Sequence, residues 1–221
     1  MNLTKTLLGE AWYWAAWAVW LPLFARCLLK APWRLFKRSE LMHVWLGMVV
    51  ALTLIWSMRA GVRPGLDFHL LGATVFTLCF GPYLAFLGLC LVIASVVLNG
   101  DADFFPYAAN ALLVAGGGVL LSQGLSRLFS TLFPKHFFVY IFANGFLTAA
   151  LTVIGVGILS SLLLGLAGVY AWDYLWAEYF PNFLLLGFAE AWLSGMLMTL
   201  FVVYRPSWVS TFDDRHHLDG H

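Results

Sequence analysis

Long apolar runs fill most of this chain and leave it one suitable solvent. Of 221 residues, 62% are hydrophobic and 10% charged, whereas water-soluble domains carry about 25% charged residues. A soluble fold has no means of covering so much apolar surface, so the bilayer is the expected environment. Helices satisfy every backbone N–H and C=O internally, and a crossing takes about 20 apolar residues. Seven runs are candidates: 7–29, 41–60, 67–81, 82–99, 107–126, 136–168 and 181–204. The sequence therefore predicts an all-α integral membrane protein with about seven transmembrane helices.

Two runs depart from a plain crossing. Only Phe80-Gly81-Pro82 separates the third from the fourth, and a Gly-Pro pair breaks a helix. Residues 67–99 are expected to form a helical hairpin with a short first arm. Run 136–168 is too long for one straight crossing and is expected to tilt or project. A single membrane domain over 1–208 and a polar cytoplasmic tail over 209–221 are the simplest division. The first run reads as a retained span, because basic residues follow it instead of preceding it.

Charge sets the expected orientation. Nine of the 12 basic residues (Arg26, Lys30, Arg34, Lys37, Arg38, Arg127, Lys135, Arg205 and Arg215) fall on one side, against Lys5, Arg59 and Arg63. The positive-inside rule puts the nine in the cytoplasm, the N-terminus outside and the chain in the cell (inner) membrane. Glu10, Asp67, Asp101, Asp103, Asp173 and Glu178 then face outward, where an acidic mouth concentrates cations. A net charge of +1 argues against nucleic acid as a partner. Cys27, Cys79 and Cys90 lie in apolar stretches without a CxxC pair and read as buried small hydrophobes.

Polar groups inside membrane helices are costly and mark sites or helix–helix hydrogen bonds. Glu190 is the clearest case, with gating, packing and substrate passage all open. Asn110 and Asn144 favour a structural hydrogen bond. His69 stands at the edge of a span, after Pro64-Gly65 and Asp67-Phe68. Asp67 and His69 diverge on a regular helix, so joint use requires an irregular loop. His216 and His217 sit in the polar tail beside Asp213 and Asp214.

Three blocks carry a resemblance. They are Trp14-Ala15-Ala16-Trp17-Ala18-Val19-Trp20-Leu21-Pro22; His69-Leu70-Leu71-Gly72-Ala73 with Phe80-Gly81-Pro82-Tyr83 and Asn99-Gly100-Asp101; and Glu190-Ala191 with Tyr204-Arg205-Pro206-Ser207-Trp208. In this order the chain resembles the membrane substrate-capture (S) component of nickel and cobalt energy-coupling factor transporters, the CbiM/NikM family. The resemblance implies a seven-helix protein binding Ni²⁺ or Co²⁺ near the outer face. It also implies two kinds of partner: a T-type membrane coupling protein and ABC ATPase subunits. No GxxxxGK[ST] phosphate loop is present, so the ATPase role belongs elsewhere.

The family's metal site uses the terminal amine, a histidine directly after Met1, and the histidine matching His69. Here that second residue is Asn2. The resemblance with this substitution leaves His69 and the Met1 amine as metal ligands, with Asp67 or Asp101 as oxygen donors and Glu190 and Asn110 in support. Such a mixed set binds more weakly and less selectively than a full nitrogen square, and suits Zn²⁺, Co²⁺ or Mn²⁺ or no ion at all; the expected cargo is Co²⁺, Ni²⁺ or Zn²⁺. The ion is cargo, and no intrinsic cofactor is expected. Two other readings remain: the same fold capturing a small organic ligand, with Phe68, Phe104, Phe105, Tyr107 and Trp172 lining an apolar site, and a non-transport scaffold or sensor. An enzyme is the least supported class, since no nucleophile–base pair is visible.

Overall fold

The computed structural model describes residues 3–58, 60–61, 67–134 and 136–212. Six long helices carry the described chain: α1 (Glu10–Lys30), α2 (Ser39–Ser57), α3 (Ala73–Leu98), α4 (Tyr107–Leu132), α5 (Phe137–Leu166) and α6 (Trp172–Tyr204). Helices α2 to α6 are each long and apolar enough to cross a membrane. Helix α1 has similar length, with Trp12, Trp14, Trp17 and Trp20 and the charges Glu10 and Lys30 at its ends.

The seven predicted runs map onto six helices because the third and fourth form one element with a break. Gly81 has φ 75° and ψ 170°, a conformation open to glycine alone, and Pro82 follows it. The chain folds back there. A methyl at Gly88 would meet the ring of Phe76, which places the two arms side by side. The first arm corrects the predicted run 67–81, since its helix starts only at Ala73. Residues Asp67–Phe68 form a two-residue strand, β2, paired antiparallel with β1 (Ala60–Gly61), and 69–72 are irregular. Pro64-Gly65 lies outside the described residues.

Burial patterns follow each helix's place. Helix α2 buries one stripe, Leu41, Trp45, Val49, Leu52 and Trp56, at three- and four-residue steps. Helix α3 is buried nearly all round, as expected for the element at the centre of the bundle. The α4, α5 and α6 helices each contain a wider π-wound stretch, at Ala111–Gly116, Tyr140–Leu147 and Leu175–Tyr179. Run 136–168 is one continuous helix over Phe137–Leu166. The three cysteines are buried and free, as read from their surroundings.

With the two arms of α3 counted separately, consecutive helical segments alternate in direction, which separates a basic end from an acidic end. At the basic end Trp208 Nε1–H donates to Glu40 Oε1 at 2.9 Å, joining the segment after α6 to the start of α2. Val209 and Phe212, placed by the sequence in a polar tail, are buried against the bundle. Phe212 packs on Phe137 and Tyr140. Apolar side chains at 209 and 212 explain why packed structure reaches past 208. Residues 213–221, with His216 and His217, lie outside the described residues.

Candidate metal centre

Gly72 is the hinge of the site. Its φ of 67° turns the irregular stretch 69–72 into the first arm of α3, and an added Cβ would strike Leu52. The first N–H groups of that arm have no partner within the helix. Glu190, in the middle of α6, supplies one. Its Oε2 accepts from the Leu71 N–H at 2.8 Å and its Oε1 from the Gly72 N–H at 2.7 Å. Ser194, one turn on, donates to Oε1 at 3.3 Å. The carboxylate is 1% exposed. A buried acid is tolerated here because backbone donors converge on it.

His69 follows from that anchoring. It is 7% exposed, with its ring 4.0 Å from that of Trp56, the planes tilted by 39°. Its Nδ1 lies 3.2 Å from the Leu70 carbonyl oxygen. A carbonyl only accepts, so a hydrogen bond here puts a proton on Nδ1. Metal-binding imidazoles are commonly oriented in this way, by a hydrogen bond from the other ring nitrogen.

The chain's first described residues are held by α1, α4 and the loop before α4. Leu3 is fully buried. Asn110 Oδ1 accepts from the Leu3 N–H at 2.8 Å, and Asn110 Nδ2 donates to the Leu3 carbonyl at 3.3 Å. Tyr13 donates its hydroxyl to the Thr4 carbonyl at 2.5 Å and accepts from the Leu8 N–H at 3.2 Å. Asp103 Oδ2 accepts from the Lys5 N–H at 3.0 Å. Gly118 packs against Ala73. Asn110 stands two turns further toward the acidic end on the same helix, about 12 Å away. His69 lies four residues before Ala73, on the side toward that end. Leu3 is thus held on α4, and His69 stands just before the α3 arm that packs on α4.

The expected ligands divide accordingly. Asp67 opens β2 and His69 follows in the irregular stretch, so neither lies on a helix. Asp101 sits on the α3–α4 loop, where Asn99 Nδ2 donates to its Oδ2 at 2.7 Å. Among the described residues, no three His, Cys, Asp or Glu side chains gather closely enough to hold a metal ion. Asp67, His69 and Asp101 therefore do not form a ligand cluster by themselves. Met1 lies outside the described residues. Asn144 accepts from the Ser126 hydroxyl at 2.8 Å, the helix–helix bond expected of it.

A family model described as the cobalt uptake substrate-specific transmembrane region, CbiM, matches residues 2–208. The chain belongs to the CbiM family. Two solved structures share its fold. One is a crystal structure of a truncated transition metal transporter, with 17% identity, TM-score 0.79, and coverage of 92% of this chain and 99% of that one. The other is a crystal structure of a transition metal transporter, with 17% identity, TM-score 0.77, and coverage of 91% and 92%. Among curated proteins none matches. This CbiM-family chain is a multi-pass membrane protein.

Sequence reasoning missed Trp56, the ring that backs His69, because nothing in α2 distinguishes that tryptophan from its neighbours. The pairing of Glu190 with Leu71 and Gly72 spans 119 and 118 positions, so no local pattern announces it. The available signal was chemical: one acid deep in an apolar helix needs donors, and a glycine before a helix start offers them. Of the aromatic residues expected to line an organic site, Phe104, Phe105 and Tyr107 gather on α1, while Phe68 and Trp172 pack on other partners. Phe68 packs on Tyr179 and Phe183. Phe104 and Tyr107 pack on Trp17, and Phe105 on Tyr13, while Trp172 covers Gly165. A cavity of about 470 Å³ between α1, α4 and α5 is lined by aliphatic groups such as Ala16, Leu112 and Leu163. Its lining offers no strong metal donor.

Proposed function

We propose that this CbiM-family chain is the membrane subunit that captures a divalent transition-metal ion (Co²⁺, Ni²⁺ or Zn²⁺) for uptake. In this reading it crosses the bilayer seven times, the two arms of α3 counting separately. The N-terminus is outside and the basic end is in the cytoplasm. The acidic end then gathers cations at the mouth. His69 Nε2 is the imidazole ligand, the Met1 amine is the second nitrogen donor, and either Asp67 or Asp101 adds an oxygen. Glu190 and Asn110 hold the two backbone stretches that present these donors. A T-type membrane coupling protein and ABC ATPase subunits supply the energy that this chain has no nucleotide motif to supply.

The observation that carries this reading is His69, buried on Trp56 in a loop clamped by a buried carboxylate, with its Nδ1 turned to a carbonyl. Fixing the ring and its tautomer has no value for packing alone, where a leucine would serve. The two solved structures that share the fold, both of transition metal transporters, support the same reading. The test is titration of tag-free protein, purified without chelator, with Co²⁺, Ni²⁺ and Zn²⁺. His69→Ala is expected to weaken binding at least about tenfold. Equal affinity in that variant overturns the site, and no binding of any of the three ions by the unmutated protein overturns the cargo.

A further inference from the structure

We propose that Ser210 and Thr211 are positioning residues for the His69 loop, acting from the opposite end of the molecule through the first arm of α3. The argument begins with what that arm lacks. Residues 73–80 make only two helical turns, so most of their peptide groups lie at a terminus without a helical partner. At the leading end, Glu190 accepts from Leu71 and Gly72. At the trailing end the deficit is written in the sequence. Residue 82 should return an N–H to the Leu78 carbonyl, and it is a proline, which has none. The non-helical Gly81 turns the following chain away from the Cys79 carbonyl as well.

Both carbonyls are instead met by the segment after α6. The Ser210 N–H donates to the Cys79 oxygen at 3.1 Å and the Thr211 N–H to the Leu78 oxygen at 3.3 Å. The Ser210 and Thr211 hydroxyls each lie 3.1 Å from the same Leu78 oxygen. The Thr211 hydroxyl donates there, so it accepts from the Tyr140 hydroxyl at 2.6 Å. Val209 and Phe212 are buried on either side and fix the segment in place. One stretch of chain, α6 and its continuation, therefore holds the arm at both ends. The stretch bearing His69 is joined directly to the arm's leading end. A two-turn helix with so few internal bonds moves as a unit when one end is released, so loosening 210–211 loosens residues 69–72.

This inference rests on the proposed metal site only for its second readout. The double variant Ser210→Ala/Thr211→Val, made in the full chain in lipid nanodiscs, removes both hydroxyls and keeps the backbone donors. Amide hydrogen exchange at Leu71 and Gly72 is expected to quicken about tenfold, while amides in the middles of α2 and α5 keep their rates. Co²⁺ affinity is expected to fall about tenfold. Thr211→Ser, which keeps the hydroxyl, should restore both in a Ser210 background. Tyr140→Phe, which frees the Thr211 hydroxyl from its other partner, should give a smaller change in the same direction. Unchanged exchange at 71–72, or equal quickening in every helix, overturns the proposal. If the unmutated protein binds no metal, the exchange result still decides this question, and the failure belongs to the assigned cargo.

Discussion

The α5–α6 interface and the α3 arm solve the same problem, the burial of backbone inside a bilayer, by opposite means. Along α5 and α6 the helices are continuous and contact is made by shape. Gly157 receives the ring of Phe183, Gly195 that of Phe146, and Gly187 approaches the Ala150 carbonyl and Ile154. Small residues that let helices close in are the usual basis of membrane helix packing. Around the arm the backbone is irregular at 69–72 and broken at Gly81. There, individual side chains replace the missing helical hydrogen bonds: Glu190 at one end, Ser210 and Thr211 at the other. Irregular backbone survives at membrane depth only where protein covers and satisfies it. The region satisfied by side chains is also the one that carries the candidate ligand. The shape-packed region holds no such group among the described residues.

The largest effect should come from removing the acid that serves the irregular half. Glu190→Ala leaves the buried N–H groups of Leu71 and Gly72 without acceptors. At about 1–3 kcal/mol for each orphaned group, the cost is about 2–6 kcal/mol. Metal capture should be lost along with it, since His69 sits two residues before Leu71. Glu190→Gln keeps one acceptor oxygen and should fall between the two. Thermal unfolding with a Co²⁺ titration checks both variants. The contrast between the two regions fails if Glu190→Ala is no more harmful than a methyl added to the α5–α6 interface.

That second change is the control for the shape-packed half. Gly195→Ala drives a methyl into the ring of Phe146, and Gly157→Ala drives one into Phe183. Overpacking of this kind costs about 1–3 kcal/mol. Stability should drop while metal affinity in the folded fraction stays level. A parallel fall in affinity would mean that the two regions are coupled more tightly than their separate packing implies.

The legibility of the sequence divides along the same line. Regular, apolar helices were readable because hydropathy and length report them directly. Gly81-Pro82 announced the break in α3 for a covalent reason. The start of the arm was misplaced by several residues, because Phe68, Leu70 and Leu71 extend the apolar run, and the pairing of Asp67–Phe68 with Ala60–Gly61 takes the first two residues out of it. Asp67 and His69 lie off any helix, on β2 and in the irregular stretch that follows it. Their relation to Glu190, and that of Asn110 to Leu3, link positions more than a hundred residues apart. Only the folded topology brings these together. The packed segment 209–212 was hidden because Val209 and Phe212 stand among polar neighbours, and a two-residue apolar signal is too short to read.

A smaller effect is expected at the other backbone stretch in the candidate site. Asn110→Leu removes the paired hydrogen bonds to the Leu3 N–H and carbonyl, with a cost of about 1 kcal/mol, since interhelical polar contacts in membranes average about 0.6 kcal/mol. Its effect on metal binding should be larger than its effect on unfolding, because Leu3 lies next to the residues proposed to supply the amine. Asn110→Asp keeps the acceptor for the Leu3 N–H and should recover part of the affinity. Affinity that merely tracks stability across these two variants would reduce Asn110 to a packing residue.

The smallest effect belongs to a contact that looks important by position alone. Glu40 Oε1 lies 3.7 Å from Arg205 Nη1, and these side chains are 56% and 62% exposed. The pair ties the start of α2 to the end of α6, only a few residues from Ser210. Solvent screens exposed ion pairs, and they contribute well under about 1 kcal/mol. Glu40→Gln keeps an oxygen to accept from the Trp208 indole N–H, so it removes the charge and little else. A change under about 0.5 kcal/mol is expected, with metal affinity and amide exchange at 71–72 unaltered. If the comparison between the two regions is right, what matters at the basic end is the satisfaction of the buried Leu78 and Cys79 carbonyls, which this substitution leaves intact. Glu40→Gln loosening residues 71–72 as much as the Ser210/Thr211 double variant would show that the whole basic end, and not those two carbonyls, governs the His69 loop.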